Sequence, residues 1–262
     1  VKNRGYRLLD GDLLLPSWIE EHSPVKVSFN PDCKSTQIDA KAGMEAGAPS
    51  DTLYLATSQS AGRGRFGRSF FCPDRGAFYM SLHLKPDLPF DQLPFYTILT
   101  AGAIYKAVKN LTLIDLDIKW VNDIYYKNKK IAGILTEAIT SIETGLVTDV
   151  IIGVGFNFSI KDFPEELKDK AGSLFDKKPS ISRNELIAEI WSCFYQSEVD
   201  ELIYLYKQRS LVLGRQVCFS QKGTDYKGLA KDISDSGQLL VQLDNGQDVW
   251  LNSGEVSLSS WE

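Results

Sequence analysis

The sequence predicts an α+β domain followed by a small all-β barrel, with the boundary near Leu211. Two observations carry that division. Helical and strand periodicities mix as far as Tyr206, whereas after Leu213-Gly214 only short alternating strands remain, separated by the turn signals Gly223-Thr224, Asp235-Ser236-Gly237 and Asp244-Asn245-Gly246. A chain of 262 residues also exceeds the usual size of one domain, which suits a large unit (residues 1–210) carrying a small appendage (residues 211–262).

The first clear element is a helix over residues 35–46, with Ser35 or Asp32 able to cap its first turn and Gly47 able to end it. A strand over residues 53–57 follows, leading through Gln59-Ser60-Ala61 into a glycine- and arginine-rich loop. Residues 77–84 space aromatic and apolar side chains like a strand, Pro86 and Pro89 punctuate it, and residues 95–109 restore helical spacing. Apolar runs then crowd together at 114–120, 124–126, 131–138 and 145–158, predicting one sheet with a hairpin at Lys127-Asn128-Lys129. Ser182-Arg183-Asn184-Glu185 has capping-box spacing and opens a long amphipathic helix through Tyr206. The barrel strands fall at 216–221, 226–233, 238–243 and 248–251.

Composition narrows the function classes. Hydrophobic residues at 43% and aromatics at 11% supply a sizeable core and exclude a disordered chain. The net charge of -5 argues against general nucleic-acid affinity, because neutralising a polyanion normally needs an excess of Lys and Arg; it leaves room for a local basic loop. Cys33, Cys72, Cys193 and Cys218 are widely spaced with no C-x-x-C pair, which weighs against a zinc site or a disulfide framework and fits a reducing cytoplasm. No apolar stretch is long enough to cross a bilayer and the first residues lack a secretory pattern, so no membrane association is expected.

Three segments carry chemistry. In Gly62-Arg63-Gly64-Arg65-Phe66-Gly67-Arg68, glycines let the backbone approach a ligand while guanidinium forks bind phosphate oxygens. Taken alone, the run is equally consistent with a solvated basic loop. In Lys119-Trp120-Val121-Asn122-Asp123 and Lys129-Lys130-Ile131-Ala132-Gly133, cations, an amide and a carboxylate gather at strand ends; alone, these read as ordinary solvated charges. Gly153-Val154-Gly155-Phe156-Asn157 is a strand whose alternate glycines leave one face bare, for a ligand or for tight packing. Neither histidine, His22 or His83, belongs to a nucleophile-base pattern, and His83 in an alternating strand reads as structural.

Together and in this order, these segments resemble those of the biotin protein ligase family. Ser35-Thr36, Gln59 before the arginine loop and the C-terminal barrel extend the resemblance over nearly the whole chain. It implies a class II aminoacyl-tRNA-synthetase-like mixed sheet followed by an SH3-like barrel. It further implies formation of biotinyl-AMP from biotin and ATP with Mg2+, then transfer to a lysine of the biotin carboxyl carrier protein of acetyl-CoA carboxylase or a similar carboxylase. Ser35, Thr36, Gln59, Gly62, Arg63, Gly153, Gly155 and Lys130 match the biotin side. Arg63, Arg65, Arg68, Lys119, Asn122, Asp123 and Asn157 match the ATP side, with Asn122 and Asn157 near adenine. Lys130, Arg63, Arg65 and Lys119 are the residues expected to serve the reaction. The resemblance assigns no metal ligand and leaves open whether the chain forms a homodimer.

Two features depart from the pattern. The family usually reads Lys-Trp-Pro-Asn-Asp, whereas here Val121 replaces the proline, loosening the local backbone without removing a polar group. Arg4-Gly5-Tyr6-Arg7-Leu8 resembles the end of the winged-helix DNA-binding domain of bifunctional ligases, so DNA enters as a partner only if such a domain precedes this chain. The rival readings are a lipoate or octanoyl transfer protein, which should lack this arginine loop, and a nucleic-acid-binding protein, against which the net charge speaks.

Overall fold

The computed structural model describes residues 13–73, 75–86, 88–89, 93–221, 223–252 and 256–258. The stretch from Arg4 to Leu8, with its winged-helix resemblance, lies outside these. In chain order the elements are α1 (Pro16–His22), β1 (Lys26–Phe29), β2 (Asp32–Cys33), α2 (Thr36–Glu45), β3 (Thr52–Ala56), β4 (Ser58–Gln59), β5 (Ala77–Leu84), β6 (Leu88–Pro89) and α3 (Leu93–Thr112). Then come β7 (Asp117–Lys119), β8 (Asp123–Tyr126), β9 (Lys129–Thr140), β10 (Leu146–Asn157), α4 (Arg183–Gln196) and α5 (Val199–Gln208). Five strands close the chain: β11 (Gln216–Gln221), β12 (Thr224–Ile233), β13 (Leu239–Leu243), β14 (Asp248–Leu251) and β15 (Val256–Leu258).

The large unit is a mixed sheet in the order β1-β3-β5-β10-β9-β8-β7, with β6 added to β10. Within this sheet only β1 and β3 pair parallel and the other ladders are antiparallel, while β2 and β4 form a separate two-stranded parallel pair. Its central strand β5 is buried at every position, Ser81 and His83 included. On one face α3 buries Ile98, Ile104 and Val108, while α4 buries Leu186, Ile190 and Trp191. Trp191 is fully buried, with its indole N–H 3.3 Å from the Met80 sulfur. His83 is structural as expected: it is wholly buried and its Nε2 lies 2.8 Å from Asp149 Oδ1.

Local chemistry accounts for most element boundaries. Ser35 caps α2 by accepting from the Gln37 amide, and Gly47 ends it at φ +78°. Lys127 and Asn128 both take positive φ, as a two-residue hairpin between right-twisted strands demands. Ser182 and Glu185 form the reciprocal capping box. The long helix expected through Tyr206 is instead two helices, because Ser197 and Glu198 are extended. Lys106 of α3 grips this break, donating to Ser197 Oγ at 2.9 Å and to Glu201 at 2.7 Å, and the redirected α5 lies across α3. The strand expected over 114–120 is also shorter, covering Asp117–Lys119, and the Trp120–Val121 peptide bond is cis.

The small unit is a five-stranded antiparallel sheet in the order β14-β13-β12-β11-β15. Its last strand, β15, was too short to be expected from the sequence. The two units share one apolar core. The Trp120 indole donates to Gly237 O at 2.9 Å, and the chain crossing between units is stitched to β7 by Ile118 N to Arg209 O (2.7 Å) and Leu211 N to Ile118 O (2.8 Å). Among the described residues, no helix is long and apolar enough to cross a membrane.

Gly102 marks the closest approach of α3 to α5, since a Cβ there would stand 2.4 Å from the Leu202 carbonyl oxygen. Backbone cannot swing aside as a side chain can, so Gly102→Ala is expected to destabilise the fold by about 1–3 kcal/mol despite the better helix propensity of alanine. Urea unfolding should show a lower midpoint at unchanged slope.

Candidate active site

The polar residues of the site come from strand ends, from the start of α2 and from the arginine loop between β4 and β5. The arginine loop folds back on itself as a short hairpin: Phe70 N donates to Gly62 O (3.0 Å), Arg63 bridges Ser69, and Gly64 N donates to Arg68 O (2.7 Å). Its tip is a 3-10 turn (Arg65–Gly67) with Phe66 in the left-handed region at φ 56°. The loop is therefore more ordered than its composition suggested. It lies over β9 and β10 where these strands carry glycines.

Gly155 and Gly133 face one another across the β10–β9 ladder, and the Phe70 ring fills the space their missing side chains leave. A Cβ on Gly155 would stand 2.6 Å from that ring. Two residues along, a Cβ on Gly153 would stand 2.8 Å from Gln37 Oε1. The bare strand face read from the sequence is thus covered by one aromatic ring and one amide.

These elements enclose a cleft of about 500 Å³. Among the described residues, Arg63, Arg65, Arg68, Lys119, Lys130 and Lys170 line it against a single carboxylate, Asp123. Such a cluster of cations in a partly desolvated cleft is a site for a multiply charged anion. Lys130 Nζ lies 2.7 Å from Asp123 Oδ1 and 6.0 Å from the centre of the Phe70 ring. Arg65 Nη1 donates to Asn122 Oδ1 at 3.1 Å, while Asn122 Nδ2 donates to Ile134 O at 3.0 Å. Burial, with Asp123 nearby, pushes the Tyr125 phenol up to about 12. Burial likewise raises the Cys72 thiol above its ordinary range.

The opposite end of the cleft is uncharged. Gln59 Oε1 accepts from Thr36 N (2.7 Å) and Thr36 Oγ1 (3.2 Å), and Ser81 Oγ donates to Thr36 Oγ1 at 2.8 Å. Ser35, Thr36, Gln59, Gly153 and Gly155 meet here, so the cleft runs from a neutral polar pocket to a cationic mouth. Among the described residues, no group of three or more His, Cys, Asp or Glu is placed to hold a metal ion.

Two expected site residues fall outside the lining. Gly62 sits behind the loop, where a Cβ would stand 2.5 Å from Cys72 Sγ, so it serves loop closure. Asn157 is buried, and its Nδ2 donates to Gly172 O at 3.0 Å. At the last position of β10 the amide nitrogen holds the following chain, while the buried Oδ1 has no hydrogen-bond partner among the described residues. That chain brings Leu167 and Lys170 to the mouth, and β15 brings Val256 and Ser257. Neither segment carries a motif, so neither was expected at the site. Phe70 could have been suspected from its place at the end of the arginine run.

Two family models match the chain in succession: the Biotin/lipoate A/B protein ligase family over residues 32–157 and the Biotin protein ligase C terminal domain over residues 212–259. The bifunctional ligase/repressor BirA of Bacillus subtilis is 36% identical over 222 residues, covering 81% of this chain and 68% of the relative. This chain belongs to the biotin protein ligase family. A biotin--[acetyl-CoA-carboxylase] ligase of Mycobacterium tuberculosis is 30% identical, with 85% of each chain covered. The structure of the biotin protein ligase from Aquifex aeolicus in complex with biotin and ATP matches with TM-score 0.72 at 26% identity, covering 88% of this chain and 97% of that one. The biotin protein ligase fold accounts for both units and for their order.

The Arg65–Asn122 bond ties the arginine loop to the sheet. A hydrogen bond of about 1 kcal/mol corresponds to roughly a fivefold change in an open population. Asn122→Ala is therefore expected to speed tryptic cleavage within residues 62–70 several-fold, read by mass spectrometry of the early fragments, with the unfolding midpoint changed far less.

Proposed function

We propose that this chain activates biotin with ATP to give biotinyl-AMP and pyrophosphate, and then passes the biotinyl group to a lysine of a biotin carboxyl carrier domain. The observation that carries this reading is the polarity of the cleft, a neutral pocket at one end and six cations against one carboxylate at the other. Biotin has a neutral bicyclic head and a carboxylate tail, and ATP brings a polyphosphate. The two reacting groups are both anionic, so they approach only where fixed positive charge offsets their repulsion.

Ser35, Thr36, Gln59, Gly153 and Gly155 are assigned to biotin, with Gly62 acting through loop closure. Arg63 spans the junction. Arg65, Arg68, Lys119, Asn122, Asp123 and Asn157 are assigned to ATP, with Asn122 and Asn157 on the adenine side. Lys130, placed between the glycine floor and Asp123, is assigned to the reacting carboxylate and the α-phosphate. In the first step a carboxylate oxygen attacks the α-phosphorus and pyrophosphate leaves with the bonding pair. In the second, the acceptor amine attacks the anhydride carbonyl, AMP leaves, and the amine gives up a proton. The protein supplies position and charge, with no covalent intermediate on its own side chains.

A magnesium ion suits this donor set as a passenger of the phosphates, for which Asp123 is the one carboxylate in the described lining. When bound it would screen phosphate charge. We assign residues 1–210 to a class II aminoacyl-tRNA-synthetase-like ligase domain and residues 211–262 to an SH3-like barrel. The four free cysteines accord with a reducing cytoplasm. Whether two copies pair is left to direct measurement.

The test is incorporation of labelled biotin into a carrier domain, dependent on ATP, by the parent chain and by Arg63→Ala and Lys130→Ala. Removing a fixed charge from a desolvated reaction centre costs on the order of a hundredfold in rate. Robust transfer by the parent with both folded variants impaired to that degree is expected. Transfer of lipoate with none of biotin would overturn the reading.

A further inference from the structure

Leu202, Ile203 and Tyr206 are the residues that α5 buries, and their spacing puts them on one face of the helix. Tyr206 is fully buried, so its hydroxyl needs a partner inside the protein. It finds one outside its own helix: Tyr206 Oη donates to Val121 O at 3.0 Å. Val121 is the middle residue of the turn 120–122 that joins β7 to β8. Here Val121 stands where proline is usual, and valine lacks the ring that would fix φ. A restraint on this turn has to come from elsewhere in the fold.

Three residues of the cleft lining flank that carbonyl in sequence, with Lys119 before it and Asn122 and Asp123 after it. The peptide joining Val121 to Asn122 is planar, so fixing its oxygen sets the direction in which the chain enters Asn122. From there the geometry is passed on. Ile134 N donates to Asn122 O at 2.9 Å, Arg65 donates to Asn122 Oδ1 at 3.1 Å, and Asp123 lies 2.7 Å from Lys130 Nζ. Burial pushes the Tyr206 phenol well above its ordinary range, with the charge of Asp123 adding to the rise and that of Arg65 opposing it. The hydroxyl thus stays protonated as a donor, and it lies close enough to the cleft to feel both charges.

We propose that Tyr206 is a positioning residue for the nucleotide side of the site: through the Val121 carbonyl its hydroxyl holds the 120–122 turn in the orientation that presents Asn122 and Asp123 to ATP. The inference rests on ATP being the substrate at the cationic end of the cleft. The biotin side should be spared, because Ser35, Thr36, Gln59 and Gly153 are carried by α2, β4 and β10 with their own hydrogen bonds.

The experiment is biotin-dependent exchange of labelled pyrophosphate into ATP by the parent chain and Tyr206→Phe, with ATP and biotin each varied in turn. Phenylalanine keeps the buried ring and removes the one donor. The KM for ATP is expected to rise about fivefold to tenfold while that for biotin stays within about twofold. A merely structural role would not separate the two. An unchanged KM for ATP in folded Tyr206→Phe, or equal rises for ATP and biotin, would overturn the proposal. If Tyr206→Phe does not fold, Val121→Gly loosens the same turn with the phenol in place; the same selective rise is expected, and an unchanged KM for ATP would again overturn it. A parent without biotin-dependent exchange overturns the substrate reading itself, whereas a parent that Tyr206→Phe matches at every ATP concentration overturns only the role of Tyr206.

Discussion

The Phe70 ring resting on Gly155 and Gly133 is the contact on which the site depends. Two strands must lack side chains at facing positions before a ring can lie flat on their ladder, and the ring must end the arginine hairpin before that hairpin is drawn onto the sheet. Once it is, Arg63, Arg65 and Arg68 stand beside Lys119 and Lys130, which the sheet delivers from β7 and β9. A local packing event therefore gathers charge from three separate stretches of chain. Phe70 is half-buried, so this contact contributes a part of the roughly 1.5–3 kcal/mol that full burial of such a ring is worth.

The charge distribution is economical for an acidic protein. A net charge of -5 keeps the surface as a whole unattractive to polyanions, while six cations in one cleft create a local field of the opposite sign. Asp123 tempers it at Lys130. The pocket beyond Gly153 is lined instead by neutral polar groups, with Thr36, Gln59 and Ser81 hydrogen-bonded to one another. The small C-terminal sheet contributes Val256 and Ser257 to the rim and is anchored by the Trp120–Gly237 hydrogen bond, so the two units build one cleft between them.

Much of this was legible in the sequence because the relevant signals are local. The Ser35 cap, the Ser182 capping box, the Lys127-Asn128 turn and the alternation in the small unit each depend on neighbouring residues, and each stands where the periodicity put it. What escaped depends on contacts distant in sequence. The helix break at Ser197 is set by Lys106 of another helix, and the three-residue β15 pairs with a strand well before it. The same holds within the site. Gly153 and Gly155 signalled a close approach, but only the fold identifies Gln37 and Phe70 as what approaches. Asn157, whose residue type suited a nucleotide contact, gives its amide nitrogen to Gly172, a partner that only the fold reveals.

The account stands or falls on adenylate formation before the acceptor arrives. The most direct measurement is exchange of labelled pyrophosphate into ATP by this chain with biotin present and no acceptor protein. The cleft predicts biotin-dependent exchange, because a carboxylate and an α-phosphorus held among these cations should react reversibly without a third partner. Exchange that is absent while biotin and ATP both bind, or that needs the acceptor, would contradict it.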